Sequence, residues 1–281
     1  MAADPVRRLL IAGCGDLGIR LGARLAGWEI HGLRRNPAGL PPGIVPVCGD
    51  LGNRFALEAV AGTWDALVYT ATPAERTPAA YREAYVEGLG NLLEKVRTPR
   101  LIFVSSTAVY GQDQGEWVDE EAPTRPRAFS GEILLEAEAL ARAAGGTVLR
   151  FSGIYGPGRE YLIRQVRAGP VRCRRDPPLW TNRIHADDCA GALAHLLSLE
   201  KIAELYCASD AEPAPRWEVL AWLAERLGVP GPVEAVDEKS GQGKRISAKR
   251  LFATGLRLQY PDFRAGYRAI LEHDTVDRRD R

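Results

Sequence analysis

An apolar run, Leu9-Leu10-Ile11-Ala12, leads straight into Gly13-x-Gly15-x-x-Gly18, and a helix-like segment follows at once from Ile19 to Ala26. No other stretch limits the fold so tightly. A glycine turn at such a junction lets the backbone approach a pyrophosphate closely. The helix start then offers N–H groups without intrahelical acceptors and a partial positive charge. Strand, glycine turn and helix in this order form the dinucleotide-binding fingerprint of doubly wound α/β domains. Gly13, Gly15, Asp16, Leu17 and Gly18 are therefore the first cofactor-binding candidates. The turn says nothing about the chemistry done on a substrate.

The rest of the chain keeps the same alternation of short apolar strands and helical patterns, which marks a parallel sheet covered by helices. Strands are expected at Leu9–Ala12, Glu29–Leu33, Val45–Cys48, Ala66–Thr70, Leu101–Ser105, Thr147–Arg150 and Leu205–Ala208. Helices are expected at Gly18–Ala26, Arg54–Ala61, Ala79–Val96, Gly131–Ala144, Tyr161–Arg167, Asp187–Ser198, Arg216–Gly228 and near Tyr267–Glu272. The fold class is α/β, a doubly wound parallel (Rossmann) sheet with a smaller C-terminal substrate lobe. Residues 1–153 make the dinucleotide domain. Residues 154–281 complete the sheet and form the lobe. Glycines and prolines cluster after Tyr155, so that stretch reads as loop-rich and suited to substrate contacts. Gly228 to Lys244 reads as a surface connection.

Composition narrows the partners. The 281 residues carry 37 basic and 36 acidic side chains, a net charge of +1, so no global field favours nucleic acid or an anionic membrane. The local run Arg172, Arg174, Arg175 reads as a solvated loop. Met1 to Arg8 lacks the apolar core of a signal peptide, and no apolar run reaches the ~20 residues of a membrane helix. Five cysteines without a CxxC pair argue against a disulfide frame or a zinc site, and four dispersed histidines give no metal cluster. The cysteines read as small core residues of a cytoplasmic protein. Trp217, Leu220 and Trp222 read as core or interface positions of one helix.

In a dinucleotide fold the second strand ends near the adenine ribose. A carboxylate there binds the 2′-hydroxyl of NAD, and an arginine accommodates the 2′-phosphate of NADP. That slot holds Leu33-Arg34-Arg35-Asn36, two arginines and no carboxylate. A guanidinium pairs bidentately with a phosphate, so NADP(H) is favoured over NAD(H). Asp50, next to Leu51 at the end of the third strand, either accepts from the adenine amino group or caps the helix that starts near Asn53. Thr70 and Ala71, at the end of the fourth strand, complete the cofactor candidates.

The later blocks resemble the extended short-chain dehydrogenases/reductases, the group of nucleotide-sugar epimerases and dehydratases. Leu101-Ile102-Phe103-Val104-Ser105-Ser106-Thr107-Ala108-Val109-Tyr110-Gly111 is similar to that family's fifth strand and its serine loop. Leu149 to Arg159 is similar to the sixth strand and substrate loop, and Arg183-Ile184-His185-Ala186-Asp187-Asp188 to the block that opens the next helix. The resemblance implies a hydride transfer on a polar small molecule, such as a nucleotide sugar, and a homodimer through helices 79–96 and 131–144. It implies that Ser106 holds the substrate oxygen, with Thr107, Tyr155 and Arg183 as further substrate contacts. Arg183 would meet a substrate phosphate or pair with Asp187 or Asp188, and His185 would be a packed histidine. Tyr110 and Tyr155 are phenols near the expected site.

The family's proton relay is a Tyr with a Lys four positions on, in Tyr-Gly-x-x-Lys-Leu-x-Ala-Glu. Here the block reads Ser130-Gly131-Glu132-Ile133-Leu134-Leu135-Glu136-Ala137-Glu138. Ser130 stands at the Tyr position and Leu134 at the Lys position. A serine hydroxyl is a poor acid without an adjacent base. Glu132 and Glu136 share a helix face, at roughly 160° from Ser130 for Glu132 if the segment is helical there. Ser106, Ser130 and Glu132 are the catalytic candidates. The chain resembles the atypical members that lose the Tyr–Lys pair. Its glycine turn is also off the extended pattern Gly-x-x-Gly-x-x-Gly, whose first Gly falls on Ala12. Two readings follow: an oxidoreductase or epimerase with a non-standard acid/base, or a non-catalytic NADP(H)-binding sensor.

Overall fold

The structure, a computed structural model, describes residues 6–235 and 241–277. Seven strands form the central sheet: β1 (Arg7–Ala12), β2 (Trp28–Arg34), β3 (Ile44–Cys48), β4 (Ala66–Tyr69), β5 (Leu101–Ser106), β6 (Thr147–Phe151) and β7 (Leu205–Ala208). Their spatial order is β7-β6-β5-β4-β1-β2-β3. The order reverses at β1, whose neighbours β2 and β4 both run parallel to it. All seven are the strands expected from the sequence, with ends shifted by at most two residues. Leu9, Leu10, Ile11 and Ala12 are fully buried. A strand covered on both faces has no solvated side to alternate towards, which is why β1 reads as a continuous apolar run.

The helices are α1 (Asp16–Gly22), α2 (Pro78–Arg82), α3 (Gly88–Lys95), α4 (Phe129–Ala143), α5 (Tyr161–Arg167), α6 (Ala186–Ser198), α7 (Arg216–Leu227), α8 (Lys249–Phe252) and α9 (Phe263–Asp277). Two expected helices take other forms. Arg54–Val60 is a 3-10 helix capped by Asn53, whose side chain accepts from the Phe55 N–H, so the cap is Asn53 rather than Asp50. The segment expected as one helix from Ala79 to Val96 is interrupted by a π-helical turn, Glu83–Glu87. The short α8 carries too few apolar positions to show a period.

Contacts divide the chain into two compact units. The first comprises Met1–Tyr110, Thr124–Arg150 and Ala190–Tyr206. The second comprises Gly111–Pro123, Phe151–Cys189 and Cys207–Arg281. The second unit contains a four-stranded sheet in the order 214–215, 180–181, 243–246, 114–118. Two of these strands are only two residues long, below the length at which alternation is readable. Its core gathers Tyr155, Ile163, Val219, Leu220, Leu223 and Phe263, and Trp217 and Trp222 pack against them as expected. Cys14, Cys173, Cys189 and Cys207 are buried; Cys48 is exposed, because it ends the edge strand β3. Among the described residues, no helix is long and apolar enough to cross a membrane, and no group of three or more His, Cys, Asp or Glu side chains is placed to hold a metal.

Candidate functional site

The three glycines do three different jobs. Gly13 has φ +76°, and a Cβ there would lie 2.3 Å from the Ala71 Cα. Its N–H donates to the Leu33 carbonyl at 3.0 Å, and Thr70 Oγ1 donates to the Gly13 carbonyl at 2.9 Å. The turn is thus tied to the ends of β2 and β4 at once, which demands a residue without a side chain. Gly15 precedes α1 at φ −94°. A Cβ there would meet nothing nearer than the Gly13 carbonyl oxygen at 3.9 Å, so its open side faces free space. Gly18 lies inside α1, and a Cβ would stand 2.9 Å from Ile11 Cγ2. Its role is close helix–strand packing. Asp16 pairs with Arg20 one turn on, at 2.8 Å, and Leu17 is buried.

A cavity of about 430 Å³ opens over this turn, at the carboxyl ends of β1, β2, β3 and β4. Crevices at the strand ends beside a reversal of strand order are where such folds take ligands. Of the sequence candidates, Gly13, Gly15, Arg34, Arg35, Asp50, Leu51 and Ala71 line it. Asp16, Leu17, Gly18 and Thr70 do not, and act by shaping the turn. Arg34 Nη1 also donates to the Cys14 carbonyl at 3.4 Å. Burial pushes the Cys14 thiol up to about 11, with Arg34 pulling the other way. Asp50 Oδ1 accepts from the Gly52 N–H at 3.1 Å, which holds its carboxylate at the cavity rim.

The sequence reading missed the far wall, formed by Thr72, Ala80, Glu83 and Ala84. The π-helical turn sets this wall. Tyr69 is fully buried, and its hydroxyl donates to the Ala84 carbonyl at 2.5 Å. A wide turn releases a carbonyl from the α-helical ladder, and π-turns of this kind mark functional sites. Gly88 makes room for that phenol: a Cβ there would sit 2.7 Å from the Tyr69 hydroxyl. No local pattern in residues 78–95 signals the interruption.

At the end of β5, Ser106 Oγ accepts from the Ala108 N–H at 3.2 Å and so caps the short turn Thr107–Val109. The hydroxyl keeps its own proton and a second lone pair for another partner. Thr107 is buried. The start of α4 packs on this loop, since a Cβ on Gly131 would lie 2.7 Å from the Ala108 carbonyl oxygen. Ser130 and Leu134 are both buried on α4, and Glu132 is exposed. Glu136, also exposed, makes a bidentate pair with Arg82 at 2.6 and 2.9 Å. The third glutamate of that helix is the buried one. Glu138 accepts from Arg150 Nε at 2.9 Å, from Arg150 Nη2 at 2.5 Å and from Ser105 Oγ at 2.6 Å. Arg150 Nη1 continues to the Tyr110 hydroxyl at 2.6 Å. Tyr110 is therefore a buried structural phenol.

In the second unit, Tyr155, Arg183 and His185 are buried together with Asp210. His185 Nδ1 accepts from the Asp187 N–H at 3.2 Å, and its ring lies 4.1 Å from that of Tyr260, centroid to centroid. It is the packed histidine expected. Asp188 accepts the backbone N–H groups of Gln259 and Tyr260 at 2.6 and 3.0 Å. Arg183 Nη2 bonds Thr181 Oγ1, and its carbonyl accepts from the Asp210 N–H at 2.7 Å. Burial pushes the Asp210 carboxyl up to about 8, against the pull of Arg183. Burial likewise raises the Tyr155 phenol, and Asp210 adds to the rise.

Residues 10–205 match the NAD dependent epimerase/dehydratase family. Protein YeeZ of Escherichia coli K12 is 32% identical over 276 residues, 92% of this chain and 97% of its own length. A 3-diazoavenalumate denitrifying reductase of a Streptomyces species is 30% identical over 253 residues, 80% of this chain and 83% of its own. The solved structure of a Methylobacillus flagellatus protein named for the same family is 40% identical and superposes with a TM-score of 0.82, covering 96% of this chain and 99% of that one. With a fingerprint turn shaped by Gly13, Gly15 and Gly18, a cavity at the strand ends beside it, and relatives aligned along most of their length, this chain belongs to the NAD dependent epimerase/dehydratase family.

Proposed function

We propose that the protein is an enzyme that moves a hydride between a nicotinamide dinucleotide and a polar small molecule, and that it prefers NADP(H) to NAD(H). The observation that carries this reading is the open side of Gly15 in the cavity over the glycine turn, a cradle that any side chain would fill. Gly13, Gly15 and the first N–H groups of α1 would hold the pyrophosphate. Arg34 and Arg35, both in the same cavity, would meet a 2′-phosphate, and Asp50 with Leu51 would hold the adenine. When bound, the dinucleotide supplies or accepts the hydride.

Ser106 would hold the substrate oxygen through the proton it retains, with Thr107 as a further substrate contact. The family's phenol and ammonium are replaced by Ser130 and Leu134. Ser130 could pass a proton only with a base beside it, and Glu132 is the carboxylate of that helix start. A chain so equipped suits a substrate whose own electron deficiency draws the hydride, and a reductase among its relatives is consistent with that. The competing reading is a non-catalytic sensor of the dinucleotide. It is favoured by the burial of Leu134, 3% exposed where an ammonium would be needed.

The test uses NADPH deuterated at C4 and a panel of carbonyl and nucleotide-sugar substrates. Stereospecific loss of deuterium, abolished in Ser106→Ala with NADPH affinity unchanged, is the expected result. Equal turnover in Ser106→Ala sinks the role of that serine. Tight binding with no deuterium loss establishes the sensor instead.

A further inference from the structure

The second unit carries an aromatic platform that the proposed redox site does not use. Trp117 is 57% exposed on the outer strand of the four-stranded sheet. Large side chains exposed to that degree are ordinarily mobile. This one is held. Arg245 lies opposite it in register on the neighbouring strand, and its guanidinium sits 5.1 Å from the Trp117 ring and 4.8 Å from the Trp180 ring. The guanidinium is fixed in turn by Nε, which donates to the Gly115 carbonyl at 2.7 Å. Gly115 leaves the space for this stack, since a Cβ there would stand 3.1 Å from Trp180 Cδ1.

Beside Trp117 is a second cavity of about 230 Å³, walled by Val118, Asp119, Ser247 and Lys249. The Ser247 N–H donates to the Val118 carbonyl at 2.8 Å, so the wall is anchored to the sheet. Asp119 Oδ1 accepts from the Glu121 N–H at 3.0 Å, which orients its carboxylate. The set is an indole, one hydroxyl, one carboxylate and one ammonium, with the Arg245 guanidinium against the same indole.

Each part selects the same ligand chemistry. An indole face offers apolar contact to the C–H face of a saturated ring. Ser247 and Asp119 offer acceptors for ring hydroxyls. Lys249 offers a charge to an anionic group. Arg245 adds a second positive charge beside the indole, which disfavours a cationic ligand there. We propose that Trp117, Asp119, Ser247 and Lys249 form a binding site for a hydroxylated sugar ring that carries one anionic group, a carboxylate or a phosphate.

The site is separable from the hydride chemistry, since it shares no residue with the dinucleotide cavity, and its test needs no turnover. The Trp117 indole N–H resonance of ¹⁵N-labelled full-length protein is assigned by its loss in Trp117→Phe. It is then followed during titrations with glucuronate, glucose 1-phosphate and glucose. We expect saturable movement with at least one anionic sugar, at a midpoint about tenfold below that for glucose. Glucuronate and glucose 1-phosphate distinguish a carboxylate ligand from a phosphate ligand. In Lys249→Met, a surface substitution that leaves the fold intact, the preference for the charged sugar is expected to vanish while the shift direction persists. An unmoved Trp117 resonance, equal midpoints for neutral and anionic sugars, or an unchanged preference in Lys249→Met overturns the proposal.

Discussion

Gly13 and Ala71 come so close that a methyl group on Gly13 would stand 2.3 Å from the Ala71 Cα and 2.4 Å from its nitrogen. Fifty-seven residues of chain lie between them, and the contact closes the turn after β1 onto the end of β4. Neither side of the contact can yield, because both are backbone.

This contact separates the roles of Gly13 and Gly15. Gly13→Ala adds a side chain at φ +76° and against backbone, so it should destabilise the fold by more than about 1 kcal/mol. Gly15→Val meets an ordinary φ and open space, and should cost less, within about 1 kcal/mol. It should nevertheless abolish dinucleotide binding. Thermal melts with and without NADPH measure both effects. A Gly15→Val protein that still binds NADPH would remove the cradle from the proposal.

The proposed preference for NADP(H) rests on Arg34 and Arg35, which line the cavity. Replacing either by alanine removes charge-assisted bonds to a 2′-phosphate, each worth about 1.5–3 kcal/mol. NADPH affinity should fall by about tenfold or more, with NADH affinity nearly unchanged. Parallel fluorescence titrations with the two cofactors give the ratio. An equal loss for both would show that the arginines serve only the strand end.

The Glu138–Arg150 pair is buried at both ends, with side-chain exposures of 0% and 3%. Removing one partner of such a pair strands the other charge. Glu138→Gln should cost about 3–5 kcal/mol, and a double variant with Arg150→Met should recover part of that loss. Urea denaturation of both single variants and the double variant tests the cycle. A double variant as unstable as the sum of the singles would show that the two groups do not act on each other.

Asp210 makes stability depend on pH. Its carboxyl is raised from an ordinary 3.8 to about 8 by burial, opposed by Arg183. Asp262 and Glu212 add to the rise, although a backbone hydrogen bond at Glu212 lowers it. Tyr155 and Tyr267 face the same carboxyl and are themselves raised, Tyr267 to about 12. Between 3.8 and about 8 the folded chain holds a proton that the unfolded chain has lost. Stability therefore falls as pH rises through that window and levels off above it. Asp210→Asn should flatten the slope and gain most, relative to wild type, at about pH 8. A difference between the two proteins that is the same at about pH 5 and about pH 8 would contradict the burial of an uncharged carboxyl.

The site was only partly legible in the sequence. Arg34, Arg35 and Asp50 were readable because a strand end has a set distance from the glycine turn, and all three line the cavity. Glu83 and Ala84 were not, because the π-turn that presents them depends on the phenol of Tyr69, fifteen residues before Ala84. Of the three glutamates on α4, the pattern flagged Glu132 and Glu136, yet the buried one is Glu138. What makes its burial tolerable is a guanidinium on β6 and a hydroxyl on β5, neither of which local periodicity can register.

Local sequence patterns alone were enough to specify the central sheet and the glycine turn after β1. Those features rest on local rules: apolar runs for strands covered on both faces, and glycine spacing where backbone must bend and leave open space. The tertiary structure alone decided the contact of Gly13 with Ala71, the wall supplied by Glu83, the Glu138–Arg150 pair and the Arg245 stack between Trp117 and Trp180. Each joins residues far apart in the chain. Their energies come from burial and charge pairing that exist only once the strands are in register.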